Sequence, residues 1–370
     1  MIPVVVVIVG LTIVVGPAAW FIRKLALRVV GVAPRRKVIV ARRVGQTIEL
    51  PLGTLTIAPG NYGLWFGQNF QHHALVGAVE HSDKQRVVRR LVDATIAVPT
   101  EAFDAQWTGH VMHSPSQIDA KWEDTAIPLR DGKTAPAWLF RATDPRAPWV
   151  IHVQGIRTSR LVTLRSVEVA ERAGLTSLVV TYRGSGDGPV APVSYLGQRE
   201  WSDLADAIGF ARSHGASEVF VVAWSMGAGV ALELLRREPE AFERLVLVAP
   251  ATNWNRIIRH GIERAGLPRL VGPVVTWALR SPVGSRIVGM SAPLDFRRLD
   301  WSSGYKLTVP TLVLHSQGDE EIPFELTKEF VAGHPSVTLV ETASAPHGWE
   351  ANVDPELFQS ALTSFLSTPQ

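Results

Sequence analysis

The chain of 370 residues contains no cysteine at all. Disulfide bonds, a catalytic thiolate and cysteine-ligated metal sites are therefore excluded, and nothing in the sequence reports the redox state of its compartment. Charged residues are also scarce, at 19% against 46% for hydrophobic residues, which excludes an intrinsically disordered protein. A chain of this length has room for one large domain and a smaller addition.

Sequence motifs for nucleic-acid binding are also lacking. The net charge is +3, but most basic residues are scattered and form neither a basic helix nor an aromatic and basic recognition motif. We therefore predict no nucleic-acid partner. The one dense basic cluster follows an apolar segment at the N-terminus.

Residues 1–22 carry no charged side chain. As a helix they would span about 33 Å, which matches a bilayer hydrocarbon core of about 30 Å. Trp20 and Phe21 would then lie at the interface, where aromatic residues are favoured. We predict a transmembrane anchor over residues 1–22. A cleavable signal peptide and a buried core helix remain as alternatives, although no basic residue precedes the apolar run as a signal peptide requires.

Residues 23–36 are predicted to be a basic juxtamembrane linker. Lysine and arginine beside a membrane span tend to stay in the cytoplasm, so we expect the rest of the chain to be cytoplasmic. Residues 1–37 would contact membrane lipid, because basic side chains attract anionic headgroups. The basic residues that carry this prediction are Arg23, Lys24, Arg28, Arg35, Arg36 and Lys37.

Residues 37–118 contain strand-like runs separated by turn residues, such as Pro51-Leu52-Gly53 and Pro59-Gly60-Asn61. Helical periodicity is poor there. We predict a small β-rich accessory domain over 37–118, either an open barrel or a sandwich. The predicted strands lie in the runs VIVARRV, TIELPLGTLTIAP, HALVGAVEH and RVVRRLV.

Two histidine pairs in this segment lack a third ligand, so they are more typical of surface or hydrogen-bonded histidines than of a metal site. We expect neither a metal ion nor a cofactor. The pairs are His72 with His73 and His110 with His113.

From about residue 119 to residue 368, short valine-rich runs alternate with helical stretches. Such runs are typical of strands buried on both faces, and their alternation with helices predicts a mostly parallel sheet covered on both sides. Residues 251–304 interrupt the alternation with amphipathic stretches, which predicts a helical cap over the carboxyl edge of the sheet. The predicted strands are 137–142, 149–154, 177–182, 218–224, 244–250, 311–316 and 337–342, and the predicted helices are 159–173, 200–213, 226–237, 324–332 and 354–366.

The segment Ala223-Trp224-Ser225-Met226-Gly227 joins a predicted strand to a predicted helix. A sharp turn there needs small residues beside the serine, and it raises the hydroxyl above the sheet next to the free N–H groups of the helix. This elbow resembles the Gly-x-Ser-x-Gly motif of the α/β-hydrolase superfamily, with Ala223 in place of the first glycine. The resemblance implies an α/β-hydrolase fold with Ser225 as the nucleophile.

A serine nucleophile requires an adjacent base that is oriented by a third group. The superfamily supplies these groups in the order serine, aspartate, histidine. Asp319 follows a predicted strand and precedes a proline, as the acid of the family does, and His347 lies in a loop that resembles the family's histidine loop. The resemblance therefore implies that Asp319 orients His347. Glu320 or Glu321 remains an alternative acid.

The resemblance also implies an oxyanion hole built from two backbone N–H groups. One is that of Met226, which follows the nucleophile. The other is assigned to Ile156, in a loop where the family often has His-Gly and this chain has Gln154-Gly155. Two further histidines, His152 and His315, lie within predicted strands and are interpreted as core or supporting residues.

The loop Tyr182-Arg183-Gly184-Ser185-Gly186-Asp187-Gly188 imitates a dinucleotide-binding fingerprint. That fingerprint should open a helix, but prolines follow at 189 and 192. The loop instead resembles the Arg-Gly-x-Gly loop of the Bem46/ABHD13-like group of α/β-hydrolases, which implies that it lines the substrate pocket. The pocket-lining candidates are Tyr182, Arg183, Trp224 and Trp277.

These observations predict a serine hydrolase that cleaves a carboxylic ester or thioester through an acyl-enzyme. The apolar N-terminus and the apolar cap favour a lipidic or otherwise apolar acyl group, although a fold alone does not determine a substrate. A serine peptidase or an acyltransferase with the same three residues remains an alternative. A catalytically inactive membrane scaffold is the alternative from another class of protein.

Overall fold

The computed structural model describes residues 2–34 and 37–367, with side chains from Gly16 onward. Its first element is a long helix, α1 (Ile2–Val30), which extends beyond the predicted anchor into the segment predicted to be a linker. The reason is that apolar residues alternate with the basic ones there, so one face of the helix packs on the hydrolase domain. Leu25, Ala26 and Val30 are buried in its main core.

The predicted transmembrane anchor, residues 1–22, lies largely outside the described part of the chain, since Met1 and the side chains of residues 2–15 are not described. Among the residues that are described, no helix is both long enough and apolar enough to cross a membrane.

A six-stranded antiparallel barrel follows α1. Its strand order is β1-β2-β5-β4-β3-β6, and β6 pairs back with β1. The β-rich region is therefore a closed barrel, not the open barrel or sandwich predicted, because β1 pairs on both sides and leaves no free edge. The run predicted as a strand over 47–59 divides into a strand and a short helix. The elements are β1 (Val38–Val44), β2 (Thr47–Pro51), α2 (Thr54–Ile57), β3 (Tyr62–Phe66), β4 (His72–Ser82), β5 (Arg86–Ala94) and β6 (Phe103–Thr108).

A fully buried arginine, Arg89, organises one end of this barrel. Its guanidinium donates to the backbone oxygens of Gly77, Thr56, Ala58 and Gly60 at 2.6–2.8 Å. Burial lowers its pKa to about 10, so the group still carries its charge at neutral pH. Carbonyl oxygens therefore solvate this buried cation, and the chain from α2 to β3 is held in place by it.

The second sheet has eight strands in the order β14-β13-β12-β11-β9-β10-β8-β7. Only β8 runs against the others. The chain passes from β9 outward to β10 and returns to the other side of β9 at β11, so ligands are expected where these strands end. The strands are β7 (Trp122–Pro128), β8 (Thr134–Phe140), β9 (Trp149–Val153), β10 (Thr176–Val180), β11 (Val219–Trp224), β12 (Arg244–Val248), β13 (Thr311–Ser316) and β14 (Val337–Thr342). The edge strand β7 was not predicted, because it lacks the apolar run of a strand buried on both faces.

Helices cover both faces of this sheet, as the sequence predicts. The side chains of α3 and α11 join one apolar core, and those of α4, α5 and α9 join the other. The helices are α3 (Leu164–Arg172), α4 (Trp201–Ser213), α5 (Gly227–Arg237), α6 (Trp254–Arg264), α7 (Val271–Arg280), α8 (Pro282–Val288), α9 (Phe324–Ala332), α10 (Glu350–Val353) and α11 (Pro355–Ser367).

Helices α6, α7 and α8 lie between β12 and β13, within the predicted cap. Local sequence determines their ends. Asn253 caps α6 by accepting a hydrogen bond from the backbone of Arg256, and Ser281 caps α8, where Pro282 takes the first helical position. Gly289 ends α8 in a left-handed conformation at φ 95°.

Replacement of Arg89 by methionine should reduce the free energy of unfolding by about 2–4 kcal/mol, because buried carbonyl groups would lose their donor. The neighbouring Arg90→Met variant is the control, since the side chain of Arg90 is 65% exposed and makes a surface ion pair with Glu80. It should change stability by less than about 0.5 kcal/mol. Chemical denaturation of the purified proteins measures both. Equal stability of the two variants would contradict the role given to Arg89.

Candidate active site

Ser225 lies at the turn between β11 and α5 in a strained backbone conformation, with φ at +52°. Its backbone N–H donates to the oxygen of Val248 on the neighbouring strand at 2.9 Å. Gly227 has to be glycine, because a β-carbon there would lie 2.8 Å from the backbone oxygens of Val153 and Gln154. The turn therefore has the shape of a nucleophile elbow, in which strain is stored at the reactive residue.

A chain of hydrogen bonds links Ser225 to His347 and Asp319. His347 Nε2 lies 2.8 Å from Ser225 Oγ, and its Nδ1 lies 2.6 Å from Asp319 Oδ2. If Nδ1 carries the proton, Nε2 accepts from the serine hydroxyl. The structure thus joins the three predicted residues, which are 94 and 28 positions apart in sequence. It brings neither Glu320 nor Glu321, the alternative acids, into hydrogen-bonding contact with His347.

The loop after β13 holds Asp319 from its other side. Asp319 Oδ1 accepts from the backbone N–H groups of Glu321 and Ile322 at 2.8 and 2.9 Å. Ser316 Oγ accepts from Gly318 and Ala345, so that one hydroxyl connects the acid loop to the histidine loop. Sequence analysis did not single out Ser316, because a serine at the end of a strand has no distinctive pattern.

His315 supports Asp319 directly. Its Nε2 lies 2.9 Å from Asp319 Oδ2 and its Nδ1 lies 2.7 Å from Thr327 Oγ1, both in the protein interior. The prediction of a supporting histidine is confirmed, and its partner is the acid itself. His152, the other histidine in a strand, is buried between Ser166 and Ser177, away from these loops.

The electrostatics of the site depend on Asp319 and its two histidines. Burial alone would raise the pKa of Asp319, but the charge of His347 and the hydrogen bonds from both histidines hold it well below its ordinary value. Burial alone would lower the pKa of His347, but the charge and hydrogen bond of Asp319, with Glu321 and Glu350, raise it to about 9. The carboxylate therefore stays ionised and stabilises a protonated His347.

Two backbone N–H groups beside Ser225 are free to bind an oxyanion. Those of Ile156 and Met226 donate to no acceptor among the described residues. A β-carbon on Gly155 would lie 3.1 Å from that of Ser225, so a glycine lets the loop approach this serine. The Tyr182 hydroxyl donates to the backbone oxygens of Gln154 and Gly155 at 3.1 and 2.9 Å and so supports this loop.

None of the four predicted pocket-lining residues lines the cavity at Ser225. Tyr182 is buried beneath the loop just described, and Arg183 is held by Asp203 and Asp131. Trp224 packs on Phe358 inside the sheet core. Trp277 is 47% exposed. These predictions were wrong because residues that are close in sequence point in different directions. On α7, Val275 faces the cavity, and Trp277 lies about 200° around the helix from it.

The cavity above Ser225 has a volume of 390 Å³ and mostly apolar walls. The cap forms one wall, the loop at Ile156 another, and the last turns of α1 a third. Its lining residues from the cap and α1 include Leu25, Arg28, Val29, Trp254, Ile257, Ile258, Ile262, Leu267 and Val275. A contribution from α1 was not predicted, because the sequence does not show that the helix turns back onto the cap.

Arg157, next to Ile156, attaches α1 to the site. Its Nη2 donates to the last carbonyl groups of α1, at 2.6 Å from the oxygen of Arg28 and 3.0 Å from that of Val29. A cation at the C-terminus of a helix is also favoured by the helix dipole. The end of α1 and the loop that carries Ile156 are therefore held together.

Donor atoms of His315, Asp319 and Glu350 lie within 4.8 Å of one another, which is the arrangement closest to a metal site among the described residues. Asp319 already binds His347 and His315, and the ring of His315 binds Asp319 and Thr327, so a metal ion would displace the hydrogen bonds that order the site. Burial, with the charge of Asp319, raises the pKa of Glu350 to about 8, so this carboxyl group is mainly neutral at pH 7. The donor set therefore does not suit a metal ion.

The histidines of the two pairs in the barrel segment make local contacts. His73 Nε2 lies 2.9 Å from the backbone oxygen of His110, and His110 Nε2 lies 3.2 Å from Thr158 Oγ1. The ring of His113 packs near that of His73, while His72 contacts Gln71 and Phe66. His72, His73 and His110 therefore form hydrogen bonds through their rings, whereas the ring of His113 makes a ring contact and its buried Nδ1 has no hydrogen-bond partner among the described residues.

Two protein families match parts of this sequence. The family described as "Serine aminopeptidase, S33" matches residues 163–287, which include Ser225 and most of the cap. A "Domain of unknown function (DUF8805)" matches residues 37–108, the barrel segment. No curated protein matches the chain.

Several solved structures share the fold. The Pyrococcus furiosus esterase Pf2001 superposes with a TM-score of 0.54 at 19% identity, over 69% of this chain and 95% of that one. A second crystal form of the same esterase has a TM-score of 0.54 at 21% identity, over 69% and 93%. A putative hydrolase from Agrobacterium vitis S4 has a TM-score of 0.51 at 18% identity, over 66% and 99%.

The predicted α/β-hydrolase fold is therefore confirmed. The match to a family of serine hydrolases, together with the hydrogen-bonded Ser225, supports the predicted enzyme class, a serine hydrolase. Membership of the Bem46/ABHD13-like group stays a prediction.

The rate at which a fluorophosphonate labels Ser225 should rise with pH. Only neutral His347 accepts the serine proton, and its pKa of about 9 means that the neutral fraction grows about tenfold per pH unit below that value. Asp319→Asn is the control, because it removes the charge that raises the pKa of His347. The midpoint of the pH dependence of labelling should therefore move toward 6.5 in this variant. Its maximal rate should fall by about 10⁴. A wild-type rate that is flat from pH 7 to 9 would contradict the assigned pKa.

Proposed function

We propose that this chain hydrolyses a carboxylic ester or thioester of an apolar acyl group, with Ser225, His347 and Asp319 as a catalytic triad. The observation that carries the proposal is the hydrogen-bonded chain of these three residues beneath an apolar cavity. The three side chains supply a nucleophile, a base and an orienting acid.

In the proposed mechanism, Ser225 Oγ attacks the carbonyl carbon while its proton passes to His347 Nε2. The oxygen of the tetrahedral intermediate accepts from the N–H groups of Ile156 and Met226. His347 then protonates the leaving oxygen or sulfur, and an acyl-enzyme remains. A water molecule gives its proton to His347 and attacks the acyl carbon. The carboxylic acid leaves as Ser225 recovers the proton, and Asp319 stabilises protonated His347 in both steps.

An apolar acyl group fits the cavity better than a peptide with a free amino terminus. An aminopeptidase needs a carboxylate to bind the substrate's ammonium group. Glu321 lines the cavity, but Arg28, Arg157 and Arg264 line it too, so its charge disfavours a cation. We therefore favour ester or thioester hydrolysis. Peptide hydrolysis, acyl transfer to an alcohol and an inactive scaffold are the outcomes against which the proposal is tested.

We further propose that this chain works at a membrane surface. Helix α1 packs on the cap, where Arg23 Nε donates to the backbone oxygen of Ile287 at 3.1 Å. Large apolar side chains of α1, of α7 with the residue that precedes it, and of α8 are exposed, and we call this set of side chains the cap face. Its members are Trp20, Phe21, Leu270, Val274, Trp277, Val283 and Ile287, with exposed fractions from 40% to 81%. We propose that these side chains form an interaction surface, since large exposed apolar patches mark such surfaces.

The distribution of charge favours anionic lipid as the partner of the cap face. Residues 251–304 contain eight arginines and three acidic residues, and residues 1–37 contain six basic residues and no acidic one. Since the whole chain has a net charge of +3, the remaining residues together carry −8. These two basic segments would be attracted to anionic headgroups. With residues 1–22 as an anchor, the basic flank favours a cytoplasmic position for the catalytic domain.

Ser225→Ala should abolish both ester hydrolysis and fluorophosphonate labelling while leaving stability unchanged. Ile257→Ala, in the cavity wall, should change the preference between short and long acyl chains by about 1–3 kcal/mol. Trp277→Ala is the matched control, because this side chain points away from the cavity. Hydrolysis by Ser225→Ala, or faster cleavage of aminoacyl amides than of esters, would contradict the proposal.

Membrane docking can be tested with single cysteines, since the chain has none of its own. With anionic lipid vesicles, the thiol of Trp277→Cys should become at least about tenfold slower to label, because lipid would cover the cap face. The control is Val92→Cys, on the barrel, where the native side chain is 53% exposed; its labelling rate should not change. Equal rates for Trp277→Cys with and without vesicles would argue against docking.

The same variants test the orientation. In intact cells a membrane-impermeant thiol reagent should label Val92→Cys only after the membrane is permeabilised. Labelling of intact cells would place the catalytic domain on the outer side.

A further inference from the structure

A second cavity, of 990 Å³, lies between the barrel and the hydrolase domain. Its barrel wall consists of residues 51–59 with Ile39 and Trp107, and its other wall consists of the acid and histidine loops. Arg264, Glu321 and His347 line this cavity as well as the one above Ser225. We call the two spaces the cap cavity and the barrel cavity. They meet at the proposed catalytic base.

The orientation that the reaction requires of a bound ester distinguishes the two cavities. The carbonyl oxygen of a bound ester must face the N–H groups of Ile156 and Met226, whereas the leaving oxygen must face His347 Nε2 to receive a proton. Ile156 lines only the cap cavity, and His347 lines both. An ester whose acyl chain lies in the cap cavity therefore directs its alcohol portion past His347 toward the barrel.

We propose that the barrel cavity is the subsite for the alcohol portion of the substrate, and that the substrate is an ester with an apolar arm on each side of its scissile bond. This inference rests on the proposed ester hydrolysis. The barrel wall presents Leu52, Leu55 and Ile57, which are 39%, 39% and 42% exposed although they are large apolar residues. Covering them with an apolar alcohol would be favourable.

The barrel wall is preformed, which a binding subsite requires. The guanidinium of Arg89 binds the backbone oxygens of Thr56, Ala58 and Gly60, and so fixes the segment that carries Leu55 and the rest of the wall. The Trp107 indole N–H donates to the backbone oxygen of Leu55 at 2.9 Å. Little conformational entropy would be lost from this wall when a ligand binds.

The position of the wall relative to His347 is also determined. Asn352 Nδ2 donates to the backbone oxygens of Asn61 and Gly109 at 2.7 and 2.9 Å, and the rings of Tyr62 and Trp349 lie 4.7 Å apart. Trp349 and Asn352 follow His347 closely in the chain, so these contacts hold the histidine loop against the barrel.

The boundary between the two cavities is polar, because the residues that line both are Arg264, Glu321 and His347. There Arg264 of the cap forms an ion pair with Glu320 of the acid loop at 2.6 Å, and both side chains are about half exposed. An oxygen-rich centre with an apolar arm on each side matches this pattern, as in an acylglycerol with more than one acyl chain.

The test compares two ester series on the full chain. One keeps a short acyl group and lengthens the alkyl alcohol, and the other keeps a short alcohol and lengthens the acyl group. In the double variant Leu55→Ala with Ile57→Ala, kcat/KM should fall roughly tenfold or more for the long alcohols and stay unchanged for the short one. Hydrolysis of the acyl-enzyme should keep its rate, because the alcohol has already left.

Val40→Ala is the matched control, since Val40 is a 56% exposed residue of the barrel outside the cavity. Ile257→Ala, in the cap cavity, should alter only the acyl series. If the double variant matches the wild type in kcat/KM for every alcohol, or if its kcat/KM changes in the acyl series instead, the barrel subsite is wrong while ester hydrolysis stands. If wild-type enzyme cleaves no ester of either series and Ser225 resists fluorophosphonate, both proposals are wrong.

Discussion

The buried carboxylate of Asp319 is the group on which the rest of the site depends. One of its oxygens accepts from His347 and His315, and the other accepts from two backbone N–H groups of its own loop. An ionised carboxylate with so little exposure is stable only because every one of these donors is present. The loops after β13 and β14 therefore have one arrangement that satisfies it, and that arrangement aims His347 Nε2 at Ser225.

The parts of the chain outside the sheet shape access to this centre. The end of α1 is bound to the loop of Ile156 through Arg157, and the barrel is bound to the histidine loop through Asn352 and Trp349. The N-terminal helix and the barrel thus each contact a loop that carries a group of the proposed mechanism. An α/β-hydrolase domain alone would have neither of these walls.

Positive charge and exposed apolar side chains belong to the same segments of the chain. The cap and the N-terminal segment hold an excess of positive charge, and the remaining residues hold an excess of negative charge. The exposed side chains of the cap face belong to the same elements as the cap cavity wall. Under the proposed function, an acyl chain would enter the cap cavity from the lipid phase beside α1 and α7.

The sequence alone determined the alternation of strands and helices and the elbow at Ser225, because these features depend on local periodicity and on a short motif. Asp319 and His347 followed only from the resemblance of their loops to those of the α/β-hydrolase superfamily. Only the tertiary structure decided which neighbours of Ser225 face the cavity. None of the four predicted pocket residues lines it, since the direction of a side chain depends on how its element is rotated against the core. These residues are Tyr182, Arg183, Trp224 and Trp277. The closure of the barrel, the support of Asp319 by His315 and Ser316, and the packing of α1 on the cap likewise join residues that are distant in sequence. Such contacts arise from packing of the whole chain, and no local pattern records them.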